Sequence, residues 1–326
     1  MSQAPDSSRY CLVTPCRDEA QYARTTLDSV VQQSLQPALW IIVDDGSTDG
    51  TSEILAEYAD RHEWITVVTR KDRGERKVGP GVIEAFYAGL DTIDMGEFDF
   101  LCKLDLDLDL PARYFEILVE RMNANPRIGT ASGRPYFMQT GQKVSEKCGA
   151  ENSVGMTKFY RTLCFQEIGG FVREVMWDGI DGHTCRMRGW IAASFADPQL
   201  EFEHLRPMGS SQVSLWTGRK RHGFGQWFMG TSLAYMTASA LYRTTRPPFL
   251  VGGLAMWIGY MEACLARKPR YEAPGFRPFM RRFQLSCLLR GKQRALDLIH
   301  GEQAEIWQRS AGAELERLNQ PQGLAS

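Results

Sequence analysis

The stretch Phe98-Asp-Phe-Leu-Cys-Lys-Leu-Asp-Leu-Asp-Leu-Asp-Leu-Pro111 decides how the chain is read. Its first half, Phe98 to Leu104, is an apolar run that suits a buried strand. Its second half alternates, with Asp105, Asp107 and Asp109 set between Leu104, Leu106, Leu108 and Leu110. Side chains of an extended chain point to opposite faces with period two, so the three carboxylates are expected on one face. Aspartate is disfavoured in strands, and like charges on one face repel. A divalent cation offsets that cost, because hard cations prefer carboxylate oxygens and bridge to phosphates. The alternative is a solvated edge ribbon, leucines inward and aspartates outward, which needs no ligand.

Working outward toward the N-terminus, the same alternation of strand and helix patterns recurs. Tyr10 to Thr14 is an apolar run that Pro15 is expected to end, and Ala20 to Gln33 has helical spacing at Ala23, Leu27, Val30 and Val31. Leu39 to Val43 is dense enough for a parallel strand buried on both faces. The turn and capping signals of Asp44-Asp-Gly-Ser-Thr-Asp-Gly-Thr51 follow at once, before a helix from Ser52 to Tyr58. Trp64 to Thr69 is a third strand, and Gly81 to Leu90 a third helix. The pattern predicts an α/β fold, a doubly wound, mostly parallel sheet with helices on both faces. Ligands of such sheets bind outside the carboxyl ends of the strands. Asp44-Asp45 and Asp105-Asp107 both fall there, which favours a nucleotide and metal site over the solvated ribbon.

Beyond Pro111 a helix is expected over Arg113 to Asn123 and a strand over Ile128 to Ser132. Met156 to Ile168 has a helical look and ends on Gly169-Gly170, a helix-stop signal. Trp177-Asp-Gly-Ile-Asp181 leads into a helix, Trp190 to Phe195 is a strand, and Leu200 to Leu205 an extended piece.

With 326 residues, 43% apolar and 24% charged, the composition is that of a globular protein with one large domain or a core plus an appendage. A formal net charge of −1 argues against a dedicated nucleic-acid binder. The eight cysteines are scattered with no Cys-x-x-Cys pair and no secretory leader precedes them, so a reduced cytoplasmic setting is expected. Residues 1–8 are polar and expected to fray, residues 9–210 to form the α/β domain, and residues 211–326 a helical extension. Between Arg206 and Arg294 there are fifteen basic residues against two acids, Glu262 and Glu272. Two apolar stretches lie among them, Trp227 to Tyr242 and Phe249 to Leu265. Both are too short to span a bilayer, but basic, aromatic flanks suit helices lying on an anionic membrane surface, here the cytoplasmic face. The competing expectation is an apolar helical pair packed on the core with a solvated basic face. Glu302 to Leu318 returns to a polar amphipathic helix.

Taken in order, these pieces resemble the family 2 glycosyltransferases, inverting enzymes of the GT-A fold, over residues 9 to 210. Val13-Thr-Pro-Cys-Arg-Asp-Glu-Ala20 is similar to their opening strand and turn, and Val43-Asp-Asp-Gly-Ser-Thr-Asp-Gly-Thr51 to their nucleotide-binding motif. Arg73-Gly74 and the helix after them, Lys103-Leu-Asp-Leu-Asp107, Gly169-Gly-Phe171 and Trp177-Asp-Gly-Ile-Asp181 with Arg186 continue the match.

The resemblance implies a nucleoside diphosphate sugar donor, UDP- or GDP-linked. Pro15, Glu19, Asp44, Asp45, Ser47, Arg76, Asp105 and Arg161 are then expected around the donor. Mg2+ or Mn2+ is expected on Asp107 and Asp105, with His204 as a late third ligand. A carboxylate on the opposite face of the sugar takes the acceptor proton. Asp181 is the first choice for that base and Asp178 the second, since the family's usual Glu-Asp pair is replaced here. A glycan or lipid-linked glycan, as in cell-surface or exopolysaccharide synthesis, is the implied acceptor. Two rivals remain: a sugar-phosphate nucleotidyltransferase, disfavoured because Thr14 to Ala20 contains no glycine, and a catalytically silent nucleotide-sugar or membrane-binding module.

Overall fold

The computed structural model describes residues 8–71, 79–146, 148–206, 215–246 and 249–318. The N-terminal part runs β1 (Tyr10–Cys16), α1 (Ala20–Val31), β2 (Leu39–Asp44), α2 (Thr51–Arg61), β3 (Ile65–Thr69), α3 (Pro80–Leu90) and β4 (Phe100–Leu104). It continues with β5 (Leu108–Asp109), α4 (Tyr114–Ala124), β6 (Ile128–Ser132), β7 (Arg134–Gln139), β8 (Gln142–Ser145), β9 (Thr157–Arg161), α5 (Thr162–Glu167), α6 (Trp177–Met187), β10 (Ile191–Ser194) and β11 (Glu201–His204). Helices follow: α7 (Leu215–Met229), α8 (Leu233–Thr244), α9 (Val251–Leu265), α10 (Phe276–Arg290), α11 (Lys292–Trp307) and α12 (Ala313–Leu318).

Seven strands make the central sheet in the order β10-β6-β9-β4-β1-β2-β3. All neighbours run parallel except β9, which is antiparallel to both β4 and β6. Helices α1, α2 and α4 cover one face through Leu27, Leu55, Phe115 and Leu118, while α3, α5 and α6 cover the other through Ile83, Phe86, Phe165 and Cys185. Burial on both faces explains why β1, β2 and β4 are continuous apolar runs.

A second sheet, β5-β11-β7-β8, stands beside the carboxyl end of β4. Its register sets His204 opposite Leu108, next in sequence to Asp107. The two sheets meet at Gly133, where a Cβ would stand 1.8 Å from the Leu200 carbonyl oxygen.

Three expectations are corrected by this architecture. Thr157–Arg161, expected in a helix, is the buried strand β9, and only Thr162–Glu167 is helical. Pro15 does not end β1, which pairs with β2 through Cys16. Pairing of β1 with β4 stops at Val13, so no neighbour on that side needs the amide that proline lacks. The three aspartates do not share a face: β4 ends at Leu104, the chain bends at Leu106-Asp107, and Asp109 turns outward on β5 toward the Asp28 side of α1.

Beyond β11, helices α7, α8 and α9 pack on one another, and α10 and α11 lean on α6 through Met187, Phe279 and Phe283. Gly223 and Gly259 allow a close α7–α9 crossing, since a Cβ on Gly259 would lie 2.1 Å from the Lys220 carbonyl oxygen. Among the described residues no helix is long and apolar enough to cross a membrane.

Candidate active site

The loop after β2 is shaped by its own aspartates. Asp44, 1% exposed, accepts the Ser47 amide at 2.9 Å on Oδ1 and the Ser52 hydroxyl on Oδ2. Both its oxygens brace the turn. Asp45 is paired with Arg70, Nη1 to Oδ1 2.9 Å, and its amide donates to the Cys16 carbonyl. Ser47 Oγ accepts the Asp18 amide at 3.0 Å, and the Glu19 amide donates to Thr51 Oγ1 at 2.9 Å. The loops carrying Pro15 and Glu19 and those carrying Asp45 and Ser47 are thereby fastened together at the carboxyl rim of the sheet.

Asp107 is the hub of this rim. It is 4% exposed, and its Oδ2 accepts the Arg206 guanidinium at 2.7 and 3.1 Å. The same guanidinium donates to Glu19 Oε1 at 2.8 Å. His204 Nε2 faces Asp107 Oδ2 at 3.6 Å, while Nδ1 lies 2.8 Å from Glu146 Oε2. Burial would raise the Asp107 carboxyl, but His204 and Arg206 outweigh it and hold it below its ordinary range. Burial would lower the His204 imidazolium, yet Asp107 and Glu146 push it up to about 9. Among the described residues Asp107 Oδ1, which is buried, has no hydrogen-bond partner. Asp105 next to it is paired with Lys103, whose Nζ also donates to the Gly155 carbonyl at 3.0 Å. Burial pushes the Asp105 carboxyl up against the pull of Lys103, and the Asp107 charge adds to the rise.

The two candidate bases separate by depth. Met176, at φ 64°, turns the chain abruptly into α6, so Asp178 falls in the first helical turn and is exposed. Its Oδ2 lies against Gly155, 3.5 Å from where a Cβ there would stand, beside the carbonyl that holds Lys103. Asp181, one turn further along, is 1% exposed. It pairs with Lys158 at 2.5 Å and accepts the Tyr160 hydroxyl and the Gly182 amide. A carboxylate enclosed by an ammonium, a phenol and an amide is shut off from solvent, whereas Asp178 is open to it.

Arg161 is likewise removed from the donor site. The β4–β9 register sets it opposite Phe100, at the amino end of β4, whereas Asp105 follows the carboxyl end. Five residues of strand put roughly 15 Å between the two ends. Arg161 instead donates to the Met122 carbonyl at 2.8 Å and lies over the Phe100 ring. Arg76 lies outside the described residues. Glu146, Arg206, Lys158 and Tyr160 belong to these networks but escaped sequence reasoning. Arg206, two residues beyond His204, carried a signal only as one of many basic residues.

Over 121 residues the chain is 27% identical to a poly-beta-1,6-N-acetyl-D-glucosamine synthase of Staphylococcus epidermidis, covering 37% of this chain and 27% of that protein. It is 26% identical over 123 residues to the protein of the same name from Staphylococcus aureus strain COL, with the same coverage. The chain therefore spans about a quarter of the length of the curated relatives it matches. A structure of GalNAc-T7 with UDP, GalNAc and Mn2+ superposes with a TM-score of 0.56 at 13% identity, over 88% of this chain and 58% of that one. That likeness shows a common GT-A fold. The family described as Glycosyl transferase family 2 matches residues 11–173, half of the chain, and the chain belongs to it.

Proposed function

We propose that the chain moves a glycosyl group from a nucleoside diphosphate sugar to an acceptor hydroxyl, with inversion at the anomeric carbon. The observation that carries this reading is the rim around Asp107. Among the described residues one buried oxygen of Asp107 has no hydrogen-bond partner, the other lies 3.6 Å from His204 Nε2, and that ring is oriented from behind by Glu146. A carboxylate on the far nitrogen is the usual way to aim a histidine at a cation. Asp107 and His204 would hold Mg2+ or Mn2+, whose preference for oxygen and imidazole donors fits this set. Bound there, the cation supplies Lewis-acid stabilisation of the leaving diphosphate.

The remaining chemistry belongs to side chains. Asp45, Ser47 and the β1 turn at Pro15 and Glu19 line the rim where the nucleoside is received. Lys103 holds Asp105 in place from within the sheet. Asp178, open to solvent beside Gly155, takes the proton of the acceptor hydroxyl as that oxygen bonds to the anomeric carbon and the diphosphate departs. The Asp181–Lys158 pair sets the position of α6, since Lys158 Nζ also donates to the Asp178 carbonyl at 3.2 Å. The names of the staphylococcal relatives support a growing glycan as acceptor and an N-acetylhexosamine as the sugar.

The test is a thermal-shift screen of UDP- and GDP-sugars with and without Mn2+, followed by product analysis. A bound donor raises the unfolding temperature by mass action. Asp107→Asn is expected to abolish the cation-dependent part of the shift, and Asp178→Asn to keep the shift but lose transfer. Release of pyrophosphate from a nucleoside triphosphate, or donor binding without transfer or hydrolysis across an acceptor panel, would overturn the reading.

A further inference from the structure

Helix α9 is apolar at every position but Glu262. Its inner face, Gly252, Gly253, Ala255, Met256, Gly259 and Ala263, is buried against α7 and α8. Its outer face is apolar apart from Glu262, with Ile258 and Met261 half-buried in its middle and leucines exposed toward both ends. Leu250, Leu254 and Leu265 are 69, 52 and 78% exposed, at helical spacing down one side. Leu241 and Tyr242 at the end of α8 are 64 and 61% exposed and extend the same kind of surface. A set of exposed large apolar side chains of this kind marks an interaction site rather than ordinary exposure.

The charge around this face says what covers it. The only acid on α9 is Glu262, which is paired with Lys220 at 2.7 Å. Arg243 and Arg246 stand at the end of α8, and Arg267 and Lys268 just past the end of α9. A helix of 15 residues is about 22 Å long, so cations flank the apolar stripe at both ends. Against a second copy of the chain in a two-fold contact, these cations would face one another and repel. Against an anionic lipid surface they are complementary: leucines enter the acyl boundary while arginine and lysine reach phosphate headgroups.

We propose that the α8–α9 face docks the protein on an anionic lipid bilayer, lying in the interface without spanning it. This does not depend on the proposed transfer chemistry, and its test uses no sugar. The full chain is sedimented with vesicles of phosphatidylcholine alone and of phosphatidylcholine with phosphatidylglycerol, at low and high salt. The expected result is binding to the anionic vesicles that weakens as salt rises. Leu241→Glu with Leu254→Glu should lower the partition coefficient at least about tenfold, since each exposed leucine contributes a kilocalorie or more when buried. Both positions are exposed, so circular dichroism and the melting temperature should stay as in the wild type. Absence of sedimentation, equal binding to both vesicle types, or full binding by the double variant would each overturn the proposal. So would a dimer at micromolar concentration that the same substitutions dissociate.

Discussion

Replacing Asp181 separates a base from a brace. The Asp181–Lys158 pair is fully enclosed, each side chain 0% exposed, and Tyr160 donates its hydroxyl to the same carboxylate. Asp181→Ala leaves the Lys158 ammonium buried with only the Asp178 carbonyl, and the Tyr160 phenol without its carboxylate acceptor. Breaking a buried pair from one side costs about 3–5 kcal/mol, because the abandoned charge has no water to turn to. With a domain of this size losing roughly 2–4 °C per kcal/mol, the melting temperature should fall by roughly 6–20 °C. Replacing both partners by apolar residues, Asp181→Leu with Lys158→Met, removes the stranded charge and should recover much of the loss. Asp178→Asn lies at the surface and should change stability by no more than about 0.5 kcal/mol, while lowering turnover about 10²–10⁴-fold if it is the base. The assay pairs thermal unfolding with transfer rates on the same preparations. An Asp181→Ala protein that melts like the wild type yet is inactive, beside a fully active Asp178→Asn, would refute the assignment.

His204 gives a pH dependence with a definite sign. Its pKa is raised from 6.5 to about 9, so the protonated ring's contribution is fully present below 6.5 and lost as pH rises through about 9. In chelator-treated protein the melting advantage of wild type over His204→Gln should shrink across that window, and parallel curves would contradict it. Cation affinity should run the other way, rising about tenfold per pH unit below 9 as the ring gives up its proton. Glu146→Gln should weaken Mn2+ binding about 10–100-fold in a titration without sugar, by loosening the aim of His204. Unchanged affinity would make Glu146 a bystander.

Much of the fold was legible because parallel strands announce themselves as dense apolar runs, as in Leu39–Val43, with turn residues directly after them. The strand β9 was not, because Thr157-Lys-Phe-Tyr-Arg161 buries two cations that no local pattern marks as buried. Lys158 is satisfied by Asp181 and Arg161 by the Met122 carbonyl, contacts made across 23 and 39 residues of chain. The difference in depth between Asp178 and Asp181 was not legible for the same reason. They lie three residues apart on one helix, and only the strand beneath, bearing Lys158 and Tyr160, decides which one turns inward. His204 was legible as a late histidine, whereas Glu146 sits after a short hairpin strand and carries no signal of its own. The acid ladder misled at Asp109, because period two holds only while the chain stays extended and it bends at Leu106-Asp107.

The Arg206 bridge between Asp107 and Glu19 gives the rim an internal counterion. Asp107 thus has a counterion of its own within the fold. The same bridge sets a threshold for entry. A monovalent ion offers Asp107 no more charge than the guanidinium already does, and without its fork of hydrogen bonds. If Asp107 holds a cation as proposed, a divalent ion accompanied by a diphosphate would be the one able to displace the guanidinium. On that reading Arg206 would be a built-in competitor that sharpens the difference between sodium or potassium and magnesium or manganese.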